Sequence, residues 1–485
     1  MKNKASIAGA ALALIVALVA PRSAHATQPL QEFIDRASSQ SFDARESNAL
    51  VSQREAEADA ALGGLLPTAS ARGVYTRNQY EVAIPAQSTM GASTKPIVIQ
   101  RHNQLDGFLQ LDVPLVNVSN YHRYKSGQAL AQSTKEQRAA ISLDVGRSVT
   151  RAYFNFLGAN ALVRSAELSL KATEDNLRVV EARRDAGAAT ELDRERARAN
   201  VERARQDVAD AKLMVDLAAR QLETLSGLTP TPAESFPVDD LHDEAPVATW
   251  LSQAEKTPLA KSAKSAQLAA QEARKAADTA LYPTLAGSAQ EHFTNAGGFA
   301  GRNAFYTLQL VAQVRFDYAL IAQSRAQAFA ADASGVRSER TVRSLQDATY
   351  EAYRRVETGI VKSRSARAQA AAAARASSLS SERYAAGVAT QLDVTQAQRD
   401  AFLADAARIQ ADADLSAARA QLRLSVGEAP PPTNAQNSVP LESVPAEPGG
   451  SSAVSSPTPP PAGAAPAPPP SPANPTPAPN PTRKP

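Results

Sequence analysis

Apolar residues recur with a period of seven over most of the chain. Val149, Phe156, Val163, Leu170 and Leu177 stand seven apart, and Ala152, Ala159, Ala166, Thr173 and Val180 follow three behind. Such an a/d stripe belongs to a helix packed along its length against others. The next segment repeats it, with Val201, Val208, Val215 and Leu222 at one position and Ala197, Ala204, Ala211, Ala218 and Leu225 at the other. A weaker stripe pairs Ala397, Ala404, Ala411 and Ala418 with Ala401, Arg408, Leu415 and Leu422, and the helix before it, about 320–385, is rich in Ala and Ser. Stripes of bulky residues and alanine let helix backbones approach closely. A continuous pattern from about 118 to 185 spans roughly 100 Å, and the segments at about 30–63 and 191–226 span roughly 50 Å each. Two half-length helices end to end match the long one, so the chain is expected to supply four parallel columns.

Alternation with a period of two appears between the helices. Leu105, Gly107, Leu109, Leu111 and Val113 alternate with Asp106, Phe108, Gln110 and Asp112, while Tyr306, Leu308, Leu310, Ala312 and Val314 alternate with Thr307, Gln309, Val311, Gln313 and Arg315. These are strands with one apolar and one mostly polar face. Partner strands are expected at about 68–78 and 284–294. A strand of about 9 to 11 residues crosses a bilayer when tilted. Four strands are too few for a transmembrane barrel, which starts at about eight, so membrane-crossing strands require several chains to share one barrel. Two soluble hairpins capping a helical bundle would show the same alternation.

The chain also matches itself at a shift of 200 positions. ARRDAGAATELD, Ala182 to Asp193, returns in SERYAAGVATQLD, which ends at Asp393. Gly187 falls on Gly387, Thr190 on Thr390, Asp193 on Asp393 and Gly227 on Gly427. LLPT at Leu65 to Thr68 answers LYPT at Leu281 to Thr284 with a shift of 216, so the first copy carries an insertion between Pro67 and Val113. Two copies of one unit fix the architecture. At the repeated motif Gly187 and Gly387 can take the left-handed conformation that ends a helix, and Thr190 and Thr390 can cap the next. Asp193 and Asp393 stand where a capping box requires them. Each motif is therefore a tight helical hairpin.

Lys2 and Lys4 precede the apolar run Ile7 to Ala20, and Ala24-His25-Ala26 resembles a cleavage site, so residues 1–26 read as a secretory signal peptide. The formal charge is +3; that segment holds Lys2, Lys4 and Arg22 and no acid, which leaves the mature chain at 3 − 3 = 0. No basic face for nucleic acid follows from this balance. There is no cysteine, which excludes disulfides, thiolate metal sites and a lipidated N-terminal cysteine. The histidines His25, His102, His122, His242 and His292 show no metal-ligand spacing, and no nucleophile elbow, phosphate loop or paired-carboxylate motif can be placed. No enzyme activity, metal or cofactor is expected. From Ala429 the chain becomes rich in Pro, Ala, Ser and Thr, and 429–485 reads as a disordered tail and spacer.

The order of these parts, their duplication and the hairpins RDAGAATELD and YAAGVATQLD resemble the TolC-like outer-membrane efflux proteins, over roughly residues 28–428. The resemblance implies a mainly α fold with a transmembrane β part. Duplicated strand-strand-long helix units, 27–238 and 239–428, would form a trimeric twelve-stranded β-barrel continued by a periplasmic α-helical barrel. It implies an outer-membrane exit channel in a Gram-negative bacterium, passively conducting what an inner-membrane efflux pump and a periplasmic adaptor deliver. The implied partners are two further copies of the chain, the adaptor, the pump and outer-membrane lipid. Gly187, Thr190, Gly387 and Thr390 would face the adaptor. Asp393, with Asp193 as its counterpart, would line the closed aperture, and Tyr384 would tie neighbouring helices. Two positions depart from the family: Gln396 replaces a second acid, and Ala389 a basic tether. The outer channel of a type I protein secretion system would share the fold. A periplasmic coiled-coil adaptor or structural protein is the alternative of another class, although an adaptor should carry one helical hairpin and a lipoyl-like domain.

Overall fold

The computed structural model describes residues 28–85, 96–233, 235–430 and 438–440. The expected signal peptide lies outside them, as does the expected tail apart from 429–430 and 438–440. Helices α1 (Leu30–Gln40) and α2 (Phe42–Gly63) lead to strand β1 (Thr68–Arg77). A small hairpin, β2 (Val82–Ile84) and β3 (Ile97–Gln100), precedes β4 (Asn103–Val116), α3 (Val118–Asp185) and α4 (Glu191–Ser226). The second half runs through β5 (Ser235–Pro237), α5 (Val247–Ala254), α6 (Pro258–Thr279), β6 (Thr284–Thr294) and β7 (Ala304–Gln313). It ends with α7 (Tyr318–Ala385), α8 (Gln391–Ser425) and β8 (Ser438–Pro440). Among the described residues no helix is long and apolar enough to cross a membrane.

The two long helices have 68 residues each and begin 200 positions apart. Their starts are built alike: Asn117 accepts from the Asn120 amide at 2.9 Å, and Asp317 from the Ala319 amide at 3.0 Å. The expected half-length helix over 30–63 is in fact two helices. Ser41 takes an extended conformation and its hydroxyl accepts from the Ala44 amide at 3.2 Å, so the chain restarts a helix there. The bend lays Phe33 against Tyr153, with ring centroids 5.8 Å apart. These rings join Phe154, Phe156, Leu157, Leu222, Phe236 and Ile409 in the largest apolar cluster, at mid-height of the helices. A fully buried Leu157 or Leu222 contributes about 1.5–3 kcal/mol.

The sheet-side half of α3 is held against α6 by serines in heptad spacing. Ser119, Ser126 and Ser133 donate to the carbonyls of Ala276, Ala269 and Ser262 at 2.7, 2.8 and 2.9 Å. Ser262 returns a hydrogen bond to the Ser133 carbonyl at 2.9 Å. Side chains this small bring the two backbones within one side chain's reach. On another side of α3 a Cβ at Gly127 would meet the Ala58 Cα of α2 at 3.2 Å, so the glycine lets these two backbones come close.

The four long strands form one antiparallel sheet in the order β1-β4-β6-β7, with β1 and β7 as bare edges. The register sets the alternating positions of β4 and β7 on common faces with those of β1 and β6. Leu109, Tyr306, Leu308 and Leu310 lie on one face and are 53–73 % exposed. The other face crowds polar and aromatic groups together. There His292 pairs with Asp106 at 2.9 Å and stacks on Phe108, whose ring also lies under Arg72. A sheet that leaves its large apolar side chains open and pairs its central polar groups on the other face is inside out for a soluble protein. Part of the insertion in the first copy folds as the β2–β3 hairpin, and Arg101 beside it donates to the Asn295 carbonyl at 2.5 Å. Residues 438–440, expected in the tail, instead form β8 and pair with β5.

Candidate functional site: the hairpin tips and the polar stripe of α8

At the end away from the sheet, α3 turns into α4 and α7 into α8 through matching turns. Gly187 and Gly387 have φ of 75° and 80°. The Ala188 amide donates to Arg183 and the Gly187 amide to Arg184, at 2.7 and 2.8 Å, and Val388 and Gly387 repeat this toward Arg383 and Tyr384 at 2.9 Å each. These paired bonds satisfy the last carbonyls of both long helices, as in a Schellman motif. The next helices start with complete capping boxes. The Asp193 amide donates to the Thr190 hydroxyl at 3.2 Å, and the Asp193 carboxylate accepts from the Thr190 amide at 3.1 Å. Asp393 and Thr390 do the same at 3.3 and 2.9 Å. The Thr390 amide and hydroxyl hold the Asp393 carboxyl below the usual carboxylate range, with Arg383 adding to the effect.

Tyr384 is buried. It sits with Val180, Ala197 and Val394, and with Leu177, Ala189 and Ala389 at the margin. Arg183 of the first hairpin covers its ring at 4.7 Å and donates to the carbonyls of Tyr384 at 2.5 Å and Ala385 at 3.0 Å. Arg183 thus brings a cation of the first hairpin to the end of the second. Asp393, Gln396 and Asp400 line a groove whose other wall is Ala372, Ala373, Ala376 and Ser380 of α7.

Further along α8 lies a feature that hydrophobic periodicity misses. Gln391, Gln398, Asp405, Asp412 and Arg419 stand seven apart; all are buried except Asp405, which is half-buried. Gln398 donates to the Ala172 carbonyl at 3.2 Å, and Asp405 accepts from Ser165 at 2.5 Å, so both tie α8 to α3. Asp412, with no exposed surface, accepts from Ser363 and from Arg367 of α7, the latter at 3.0 Å. Arg419 reaches both oxygens of Asp239 at 2.6 and 3.0 Å, Glu244 at 2.5 Å and the His242 carbonyl at 2.6 Å. This pins the segment after β5 onto α8. The signal that finds these residues is a polar period of seven, one turn from the apolar stripe.

The histidines within the described residues are engaged. His102 contacts the Asn78 carbonyl, His122 Glu272, His242 Asp240 and His292 Asp106. Folding also brings Asp239, Asp240 and His242 together with ligand atoms within 4.8 Å, which their spacing did not signal. Both oxygens of Asp239 are already taken by Arg419.

An open sheet with an outward apolar face, continued by two pairs of long helices with capped hairpin tips, defines a channel-type membrane fold. The outer membrane efflux protein family model matches residues 33–228 and 252–428, and the chain belongs to that family. A membrane protein from Pseudomonas aeruginosa is 20 % identical, with a TM-score of 0.71 over 82 % of this chain and 90 % of that one. The CmeC outer membrane channel of Campylobacter jejuni is 17 % identical, with a TM-score of 0.69 over 82 % of this chain and 85 % of that one. The open state of the MtrE outer membrane channel of Neisseria gonorrhoeae is 20 % identical, with a TM-score of 0.67 over 82 % and 89 %. Comparison with curated protein sequences finds no match. Family and neighbours are channels, which sets aside the periplasmic adaptor reading.

Proposed function

We propose that this protein is the outer-membrane exit channel of a tripartite efflux system. Three copies close one twelve-stranded barrel in the outer membrane of a Gram-negative bacterium, and their helices continue it into the periplasm. Substrates handed over by an inner-membrane pump and a periplasmic adaptor pass through passively. The observation that carries this reading is the open sheet: β1 and β7 are bare edges, and the apolar face is turned outward. One chain cannot satisfy those edges, whereas a closed barrel satisfies all of them. In this reading residues 1–26 are a cleaved leader and the two repeats run over 27–238 and 239–428.

The tips take two roles in this reading. Gly187, Thr190, Gly387 and Thr390 shape the adaptor-facing turns, which the capping geometry holds rigid. Asp393 and Asp193 supply charge near the aperture, and Tyr384, clamped by Arg183, holds the second hairpin against the first. The mass, membrane location and bilayer conductance of the purified mature protein test the whole. A conducting trimer extracted by detergent from the outer membrane supports it. A soluble monomer without conductance overturns it.

A further inference from the structure

One side of the α7–α8 pair is covered and the other is bare. Trp250 of α5 packs with Val356, Ile360, Leu415 and Leu422, and Asp239 and Glu244 hold Arg419, so the segment after β5 lies along one side. Glu351, Arg355, Thr358 and Lys362 stand roughly 150° round α7 from Val356 and Ile360, on the side that this segment leaves free.

A recess of about 750 Å³ opens there. That volume is in the range of sites that hold small ligands, about 300–1,000 Å³. The recess straddles α8, which packs against both α3 and α7, so it lies within one copy of the chain and away from the edges where copies would meet. Four cations line it, Arg151, Arg354, Arg355 and Lys362, against two carboxylates, Glu351 and Asp414.

Two of the cations are already matched. Arg355 donates to Glu351, four residues before it, and Arg354 to Glu357, three residues after it, each at 2.6 Å. Arg151 and Lys362 have no such partner: among the described residues neither side chain makes a hydrogen bond or ion pair. Their own helices offer none, since only positions three and four away come alongside. Around Arg151 these hold Arg147, Ser148, Phe154 and Asn155, and around Lys362 they hold Thr358, Gly359, Ser365 and Ala366. Asn155 and Thr358 also line the recess, so neutral hydrogen-bonding groups stand where a neutralising acid would fit. Between the two walls Ala411, Ala417 and Ala418 of α8 provide an apolar floor.

We propose that this recess binds an organic oxyanion. The charged group sits between Arg151 of α3 and Lys362 of α7, with Asn155 and Thr358 as further hydrogen-bond partners, and the apolar body rests on the alanines. In the channel proposed above, the extra layer after β5 lies outside the wall and the recess opens on the bore, which makes anionic amphiphiles a class of cargo. That assignment to cargo rests on the channel reading, whereas the site itself does not.

Calorimetric titration of naphthalene-2-sulfonate into the full mature protein, held in nanodiscs of zwitterionic lipid, tests the site. Arg151→Gln and Lys362→Gln, both at exposed positions, should each weaken binding about tenfold, the size of one charge-assisted hydrogen bond. Asp414→Asn, which removes a like charge from the recess, should tighten it severalfold. The neutral analogue 2-naphthylmethanol should bind more weakly and respond to none of the three. No binding by the wild type overturns the proposal, as does equal affinity in the wild type, Arg151→Gln and Lys362→Gln. Binding requires no conduction, so a protein that takes the sulfonate in this pattern yet does not conduct keeps the site and fails the channel reading alone.

Discussion

The Arg183 guanidinium lies 4.7 Å from the centroid of the Tyr384 ring and donates to the backbone carbonyl of that same residue at 2.5 Å. One side chain thus holds a helix end twice, by its last carbonyls and by its aromatic ring. The arrangement also places a cation at the negative end of α7. It exists in one direction only, because the residue that answers Tyr384 in the first copy is Arg184.

Arg183→Ala should free the second hairpin and raise the open probability of the channel. A charge-assisted hydrogen bond of about 1.5–3 kcal/mol corresponds to roughly tenfold or more. Tyr384→Phe keeps the ring and the carbonyl and should behave as wild type, whereas Tyr384→Ala should open the channel. Single-channel recording decides this, and identical open probabilities for all three variants would remove the clamp from the gate.

Gly187→Val and Gly387→Val should leave the trimer intact while weakening adaptor coupling. A Cβ at either position meets nothing within 4 Å, so the cost comes from the positive φ alone and stays local. Size-exclusion mass and export in cells carrying pump and adaptor are the two readouts. Loss of the trimer would show that these turns serve folding first.

The Asp393 cap has a defined pH window. Its folded pKa is depressed by the Thr390 amide and hydroxyl, so the stabilisation is present above the unfolded value and is lost as pH falls through the folded one. Between pH about 7 and 5 the tip should not change, since carboxylates titrate near 4. Amide exchange at Thr390 and Asp393 should accelerate only below that range, and Asp393→Ala should show fast exchange throughout. Acceleration already at about pH 6 would mean that another group controls the turn. If Asp393 also narrows the aperture, Asp393→Ala raises conductance; unchanged conductance leaves it as a cap.

The long helices, the four strands and both hairpin turns are legible in the sequence because each follows from a short-range rule. Heptads mark α3 and α4, alternation marks β4 and β7, and Gly-x-x-Thr marks the turns. What stays hidden depends on contacts distant in sequence. The break at Ser41 lies inside an otherwise helical pattern, where a serine cap does not stand out, and the bend it makes brings Phe33 onto Tyr153. The β5–β8 pair joins segments about 200 residues apart, and neither is long enough to announce a strand. Gln398, Asp412 and Arg419 were invisible because a search for apolar residues discards them. Arg183 reads as a surface charge until Tyr384 is brought beneath it.

Arg419→Met should destabilise the protein by about 3–5 kcal/mol, because Asp239 and Glu244, with side chains 9 % and 7 % exposed, lose the guanidinium between them and only the more distant Arg423 remains beside Glu244. Arg419→Lys should rescue little, since one ammonium cannot span two carboxylates and a carbonyl. Thermal unfolding of the detergent-solubilised protein checks both. A triple variant that also replaces Asp239 and Glu244 by Asn and Gln should recover part of the loss, and no recovery would locate the damage elsewhere.

The heptad serines between α3 and α6 set the mechanics of the whole column. Where backbones touch through Ser119, Ser126 and Ser133, a twist of one helix must break every rung at once. Nearer the tips the ties between α3 and α8 are single, long and polar, as at Gln398. Each protomer is thus tied rung by rung at its sheet end and held toward its hairpin end by separate contacts, Arg183 on Tyr384 among them. In the proposed channel, a load that a partner puts on the hairpins would be met one contact at a time, whereas the sheet end would have to give at every serine rung together.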